Sequence, residues 1–277
     1  MDEFKNFDRL EEIAREIRRD ILIMLNRAQS GHSGGSLSVV DILVSLYFGG
    51  ILNYNAQDPN DPNRDRLVLS KGHACPALYA VLAKAGFFKR DLLWTLRKLG
   101  SPLQGHPDSK KLPGIEASTG SLGHGIAQAV GMALSAKVLK KNYKVFCIVG
   151  DGEMDEGLVY EAMMAASHYK LSNLIVIVDH NGLQIDGPCA KVMNIEPIKD
   201  KFDAFGFKTF EIGGHNFKQL NDTLMTARRN ILSPSAIIAR TVKGMGVSFM
   251  ANRVEYHGVP PTDEELKKAL KELGYGE

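Results

Sequence analysis

Cysteine is scarce in this sequence of 277 residues. There are three, Cys75, Cys147 and Cys189, odd in number and far apart. With no CxxC pair, neither a disulfide framework nor a thiolate zinc site is encoded, and a cytoplasmic location is expected. An excess of one charge is lacking too. Thirty-four Lys and Arg face 32 Asp and Glu, a net +2, which supplies no field for nucleic acid or an anionic membrane. No apolar run approaches the roughly 20 residues of a membrane span. The acidic start Met1-Asp2-Glu3 is unlike a signal peptide. Neither a nucleic-acid partner nor a membrane is therefore expected. Gly-Lys never occurs as a dipeptide, so a P-loop is excluded. No HxH or HxxxH spacing occurs either, which leaves a zinc hydrolase little support.

Glycine, by contrast, is in excess: 27 residues, about 10% against a usual ~7%. Apolar residues make up 44% and charged residues 24%, the balance of a folded chain. Leu10, Ile13, Ile17, Ile21, Met24 and Ala28 step by three and four, which predicts an amphipathic helix ending at Ser30-Gly31. A Gly-rich link, Gly31–Gly35, follows. Ser38 with Asp41 predicts a capped helix through about Phe48. Residues 51–65 and 100–119 read as loops. Strands are predicted at Arg66–Leu69, Val145–Val149, Leu174–Val178, Thr209–Ile212 and Ala236–Arg240. Helices are predicted at 76–85, 127–139, 156–169, 197–205, 217–230 and 262–273, the last with a Thr262/Glu265 capping box. Alternating strands and helices predict one α/β domain over residues 1–277, with a doubly wound, mostly parallel sheet flanked by helices.

The segment richest in chemistry is Gly150-Asp151-Gly152, followed after 28 further residues by Asn181. Each lies just past the carboxyl end of a predicted strand of one βαβ unit, the edge at which open parallel sheets bind ligands. Neighbouring strands lie ~4.8 Å apart, so Asp151 and Asn181 can approach one ion. With a nearby carbonyl such as that of Leu183, they suit Mg²⁺, which takes few protein ligands and completes its shell with phosphate and water. The glycines allow a tight turn and let backbone N–H groups approach a phosphate. On its own Gly-Asp-Gly is commonly only a turn; its placement after a strand is what raises it above that.

Six of the eight histidines touch a glycine: His32, His73, His106, His124, His215 and His257. Chance would give one or two. Such backbone can approach a ligand closely, and several imidazoles around one pocket suit proton transfer on sugar hydroxyls. His168, at a helix end, and His180, at a strand end, are assigned to structure.

On these residues the sequence resembles a known family. Gly150-Asp151-Gly152 with Asp179-His180-Asn181 is similar to the thiamine diphosphate motif. Seven segments resemble transketolase in order: Ser30–Gly35, Leu69–Ala74, Gly105-His106-Pro107, Leu112–Glu116, Thr119–Gly123, Gly150–Gly157 and Ile185-Asp186-Gly187. The resemblance implies the thiamine diphosphate-binding fold and its diphosphate-binding domain. It implies Mg²⁺ (with Ca²⁺ or Mn²⁺ as substitutes) on Asp151, Asn181 and the Leu183 carbonyl. Thiamine diphosphate would contact His73, Gly120, Ser121, Leu122, Gly152, Asn181 and His257. His32, His106 and His257 would be catalytic, and Glu156 would communicate between subunits. The motif carries His180-Asn181 where Asn-Asn is common, with the ligand Asn181 kept.

The resemblance covers only the N-terminal part of a fused transketolase. It implies the N-terminal subunit of a split enzyme, which transfers a two-carbon ketol unit between sugar phosphates in the pentose phosphate pathway. The pyrimidine-binding and C-terminal domains are expected on a separate chain. That chain would be the C-terminal subunit, supplying the activating glutamate, in a 2+2 heterotetramer. The alternatives are a dihydroxyacetone synthase-like subunit, a subunit of another thiamine diphosphate enzyme, or a non-catalytic binding subunit.

Overall fold

The computed structural model describes residues 6–276; most of the acidic start, Met1-Asp2-Glu3 included, lies outside the described residues. Helix α1 (Phe7–Ala28) follows the expected spacing, burying Leu10, Ile13, Ile17, Ile21 and Met24. Asn6 caps it by accepting the Arg9 N–H. The helix stops at Gln29, left-handed at φ +47°, just before Ser30-Gly31.

Two local expectations are corrected. The Gly-rich link runs into a short buried helix, α2 (Ser33–Ser38). Helix α3 (Val40–Phe48) then starts one residue later than a Ser38 cap implies, with Val39 at the cap and no side-chain cap bond. Ser38 is drawn elsewhere: its hydroxyl lies 2.6 Å from Asp179 Oδ2 and 3.1 Å from the Gly35 carbonyl. Donating to the buried carboxylate fixes the hydroxyl toward the sheet edge, and its oxygen meets no N–H of the first turn of α3.

The remaining elements follow the predicted order. They are β1 (Arg66–Leu69), α4 (Cys75–Lys84, with Pro76 in its first turn), α5 (His124–Val138), β2 (Val145–Gly150), α6 (Gly157–His168) and β3 (Leu174–His180). A hairpin unread in the sequence comes next, β4 (Leu183–Gln184) and β5 (Gly187–Pro188), with the single turn α7 (Cys189–Val192). Then come α8 (Ile198–Ala204), β6 (Lys208–Gly213), α9 (Phe217–Arg229), β7 (Ser235–Arg240) and α10 (Asp263–Glu272), which carries the expected Thr262/Glu265 capping box. Residues 51–65 and 100–119 hold no strand or α-helix, as expected.

The main sheet has the order β1-β2-β3-β7-β6 and is parallel throughout. Strands β2, β3 and β7 read as apolar runs because both faces are covered, whereas edge strand β6 is largely exposed. Phe146, Ile148, Ile175 and Ile177 face the layer that contains α1, α3, α4 and α9. Val145, Cys147, Val149, Leu174, Val176 and Val178 alternate with them and face α5, α6 and α8. The period of two thus sorts one continuous run into two cores. All three cysteines are buried and free. Among the described residues no helix is long and apolar enough to cross a membrane.

Candidate active site

Parallel pairing carries the ends of β1, β2, β3 and β7 to one edge of the sheet. The residues just beyond them meet there: Ser70-Lys71 after β1, Asp151-Gly152 after β2, Asn181 after β3 and Thr241–Lys243 after β7. Of these, Lys71, Asp151, Gly152, Asn181 and Lys243 line a cavity of about 800 Å³, counting the part open to solvent, together with His32, His73 and His257. That volume suits a cofactor-sized ligand.

The floor of the cavity is polar and tightly tied. Lys71, 2% exposed, pairs with fully buried Asp179 and donates to the Gly35 carbonyl at 3.1 Å. Asp179 also accepts from the Ser38 and Thr241 hydroxyls. Burial alone would raise its carboxyl, but the Lys71 charge and these donors hold it below the ordinary value. Glu153, likewise buried, accepts from Ser70 Oγ and from the Gly123 and Gly150 N–H groups. It therefore ties the end of β1 and the start of α5 to the Gly150–Gly152 turn.

Asp151 is 2% exposed. Its oxygens accept from Gly152 N–H at 2.8 Å and Gly182 N–H at 2.5 Å, and the His180 Nε2 atom stands 3.9 Å away. Burial pushes its carboxyl above the ordinary range, with Asp179 adding to the rise. Asn181 Oδ1 accepts from Leu183 N–H, and the Leu183 carbonyl accepts from Lys243 Nζ at 3.2 Å. These donors suit a hard divalent ion. Among the described residues no Lys or Arg forms an ion pair with the carboxylate, Asn181 lines the same cavity, and the Leu183 carbonyl is already turned toward an ammonium. Among the described residues no three His, Cys, Asp or Glu side chains converge on one point, so such an ion would rely on phosphate and water for its other ligands.

Three imidazoles crowd the cavity. The His32 ring centre lies 5.2 Å from that of His73 and 5.6 Å from that of His257, and His73 and His257 stack at 5.2 Å. Burial lowers all three. His32 falls to about 4 and His257 to about 3, the latter helped by the adjoining Lys243, and His73 lies well below the ordinary value. At neutral pH the rings are uncharged and can each accept one proton and donate another. His32 Nδ1 is buried and has no hydrogen-bond partner among the described residues, an orphaned polar atom in the cavity wall. Lys243 is also buried, and burial followed by the Lys71 charge lowers it to about 8. Its Nζ contacts a carbonyl and His257 Nδ1 at 2.8 Å rather than a carboxylate.

A stability prediction follows from the lowered rings. Their folded values lie below the unfolded value of 6.5, so the unfolded chain binds more protons. Stability is therefore present above pH 6.5 and drains away as the pH falls toward 4. Both rings keep some solvent contact, which screens the effect to on the order of 1 kcal/mol each at pH 5. The thermal midpoint should drop by about 5 °C between pH 7 and pH 5. A His32→Asn/His257→Asn variant should lose less over that interval; an identical drop in the variant would count against neutral buried rings.

The other expected residues are placed as follows. Gly120, Leu122, Gly152, Asn181 and Leu183 line the cavity. His106 is exposed at its mouth, with its ring centre 6.4 Å from that of His32. A Cβ at Gly120 would come within 3.2 Å of the His106 ring. Ser121 is exposed and does not line the cavity. Glu156 is exposed at the N-terminus of α6, outside the cavity. His168 closes α6, as expected. His180, assigned to structure, ends β3 with Nε2 2.9 Å from Glu196 Oε1 and 3.9 Å from Asp151 Oδ2, and it does not line the cavity. In the sequence reading Lys243 has no role, since its carbonyl partner, Leu183, stands 60 residues away in the chain. Lys71 stood inside a quoted segment without a role.

Comparison with known proteins agrees with this geometry. The family described as transketolase, thiamine diphosphate binding domain, matches residues 10–277. The chain is 40% identical over 264 residues to an apulose-4-phosphate transketolase subunit of Phocaeicola vulgatus, covering 95% of this chain and 93% of that protein. It is 41% identical over 264 residues to the 6-deoxy-6-sulfo-D-fructose transketolase subunit SqwG of a Clostridium species, covering 95% and 96%. Human transketolase is 38% identical over 265 residues, and there the match spans 42% of the protein. The transketolase structure of Campylobacter jejuni superposes with a TM-score of 0.91 at 36% identity, over 96% of this chain and 43% of that one. The chain thus spans nearly the whole of the relatives called subunits and less than half of the longer transketolases.

Proposed function

Since the chain belongs to the transketolase family, as its thiamine diphosphate-binding domain, we propose that it is one half of a split transketolase. It would transfer a two-carbon ketol unit from a ketose to an aldose, in a 2+2 assembly with a chain carrying the pyrimidine-binding domain and the activating glutamate. The observation that carries this reading is the single cavity where four strand ends meet three neutral imidazoles. The substrate class is a ketose with an anionic distal group, as in the sugars for which the relatives are named; sugar phosphates of the pentose phosphate pathway belong to it. Three buried free thiols are compatible with a cytoplasmic location.

Asp151, Asn181 and the Leu183 carbonyl would hold Mg²⁺. The Gly152 backbone, His73 and the Gly120–Leu122 turn would contact the cofactor, with Ser121 at the rim. Lys243, a buried ammonium without a carboxylate partner in contact, would offset the diphosphate charge. Thiamine diphosphate, when bound, supplies the carbanion stabilisation that lets a carbon–carbon bond break and re-form. His32 and His257, uncharged in the cavity wall, would accept and return protons on the ketose hydroxyls, with His106 doing so at the mouth. Glu156, exposed beside Gly123, would face a neighbouring subunit. Keeping both the metal donors and the channel histidines argues against a non-catalytic binding subunit.

With thiamine diphosphate, Mg²⁺ and a ketose phosphate, the purified chain alone should release no aldose. Adding the complementary chain should start ketol transfer to an acceptor aldose, read as donor-dependent product. Ketol transfer by the chain on its own would overturn the split-site reading.

A further inference from the structure

Of the six glycine-flanked histidines, four gather in or beside the cavity. His215 does not. It lies on the loop between β6 and α9, and both its ring nitrogens are held. Nδ1 is 2.6 Å from Asp41 Oδ2, and Nε2 accepts the Val242 N–H at 2.8 Å. Accepting that N–H requires the Nε2 lone pair, so the ring proton sits on Nδ1 and is donated to Asp41.

Asp41, at the start of α3 and 3% exposed, is held from its other side by Arg18 of α1, Nη2 to Oδ2 at 2.7 Å. Arg18 Nε in turn donates to the Met245 carbonyl at 3.0 Å. One buried chain, Arg18–Asp41–His215, therefore grips the segment after β7 at both Val242 and Met245. Between those two grips lies Lys243, whose side chain enters the cavity and reaches Leu183 and His257. The segment has no ladder or helix to hold it. Its further pins are Gly244 N–H to the Gly34 carbonyl at 3.0 Å and Asn252 N–H to the Lys243 carbonyl at 2.8 Å. Gly244 is left-handed at φ +79°, and a Cβ there would collide with the Met250 carbonyl, so this close turn admits only glycine.

We propose that Arg18, Asp41 and His215 are positioning residues for the cavity. They touch neither cofactor nor sugar, and they set Lys243 by fixing the backbone on either side of it. The link to cofactor binding rests on the function proposed above; the positioning itself does not.

The test separates the two ring nitrogens. His215→Gln can keep an acceptor where Nε2 stood, whereas His215→Asn can keep only the donor to Asp41. In the unliganded chain, amide hydrogen exchange at Val242 and acetylation of Lys243 by an amine-selective reagent are read by mass spectrometry. His215→Asn should speed both roughly ten-fold, and His215→Gln should stay within about three-fold of the parent. Unchanged Lys243 acetylation in His215→Asn would overturn the proposal. So would equal changes in the Asn and Gln variants, which would mark a loss of ring packing rather than of the acceptor. Should His215→Asn not fold, Asp41→Asn serves: Val242 exchange and Lys243 acetylation should both rise, and no rise in either would overturn the proposal. Thiamine diphosphate affinity with saturating Mg²⁺ is measured separately with the complementary chain present. Faster acetylation with unchanged affinity would support the positioning and count instead against the cofactor role of Lys243.

Discussion

Asp151→Ala should leave the sheet folded and raise the thiamine diphosphate dissociation constant at least about 100-fold, because loss of a supporting residue around a metal already costs 10- to 100-fold. The carboxylate is the one anionic donor in a set otherwise made of an amide oxygen and a carbonyl. On the proposed assignment, removing it would take away the charge that draws Mg²⁺ into the cavity. It also frees the Gly152 and Gly182 N–H groups, so some loosening of the turn is expected as well. Asp151→Asn distinguishes the two effects. It keeps an acceptor oxygen for one of those N–H groups and sets its amide NH₂ against the other, so the turn should loosen less than in Asp151→Ala while most of the cofactor affinity is still lost. Calorimetric titration at saturating Mg²⁺, with the complementary chain present and thermal midpoints taken alongside, checks this. A folded Asp151→Ala protein that retains cofactor undiminished would sink the metal assignment.

How far such a site can be read in advance depends on whether its signal is local. The runs at Val145–Val149 and Leu174–Val178 are apolar over their whole length, which only a two-sided buried strand or a buried helix tolerates, and their shortness decides for strand. Once those strands are placed, Gly150-Asp151-Gly152 and Asn181 fall at one sheet edge by register alone. Helix α2 was illegible for a tertiary reason. Gly34 and Gly35 are poor helix formers, so their segment looks like a link. They are glycine because a Cβ at Gly34 would meet Lys243 Cγ at 2.8 Å and one at Gly35 would meet His73 Nε2 at 3.2 Å. The start of α5 shows the same trade. Gly125 lies inside the helix because a Cβ there would strike Ser70 Cα at 2.5 Å, and the helix was expected only from Ala127. Lys243 and His215 were invisible as site residues because their partners stand far off in the chain, and no short-range spacing encodes them.

Lys71→Met should destabilise the fold by about 3–5 kcal/mol at pH 7, the cost of leaving one member of a buried ion pair behind. The ammonium is the cation of an otherwise anionic floor. Asp179, fully buried at the centre of the sheet edge, would keep only the Ser38 and Thr241 hydroxyls. The pH dependence should change sign with it. In the parent chain the folded Asp179 value is depressed, so its stabilisation is present above the unfolded carboxylate value and is lost as pH falls through the folded one. Without Lys71, burial is left as the leading effect and the folded value rises instead. The variant then gains relative stability as Asp179 takes up a proton, and the deficit against the parent should shrink from pH 7 toward pH 5. Replacing both partners, Lys71→Met with Asp179→Leu, should recover much of the loss, because a matched apolar pair needs no counter-charge. Urea unfolding of the three proteins at the two pH values measures this directly. A single variant within about 1 kcal/mol of the parent, or a deficit that grows on acidification, would show that Asp179 does not depend on Lys71. The same pairing bears on function. With Lys71 already committed to Asp179, Lys243 is, among the described residues lining the cavity, the ammonium that would meet a diphosphate there.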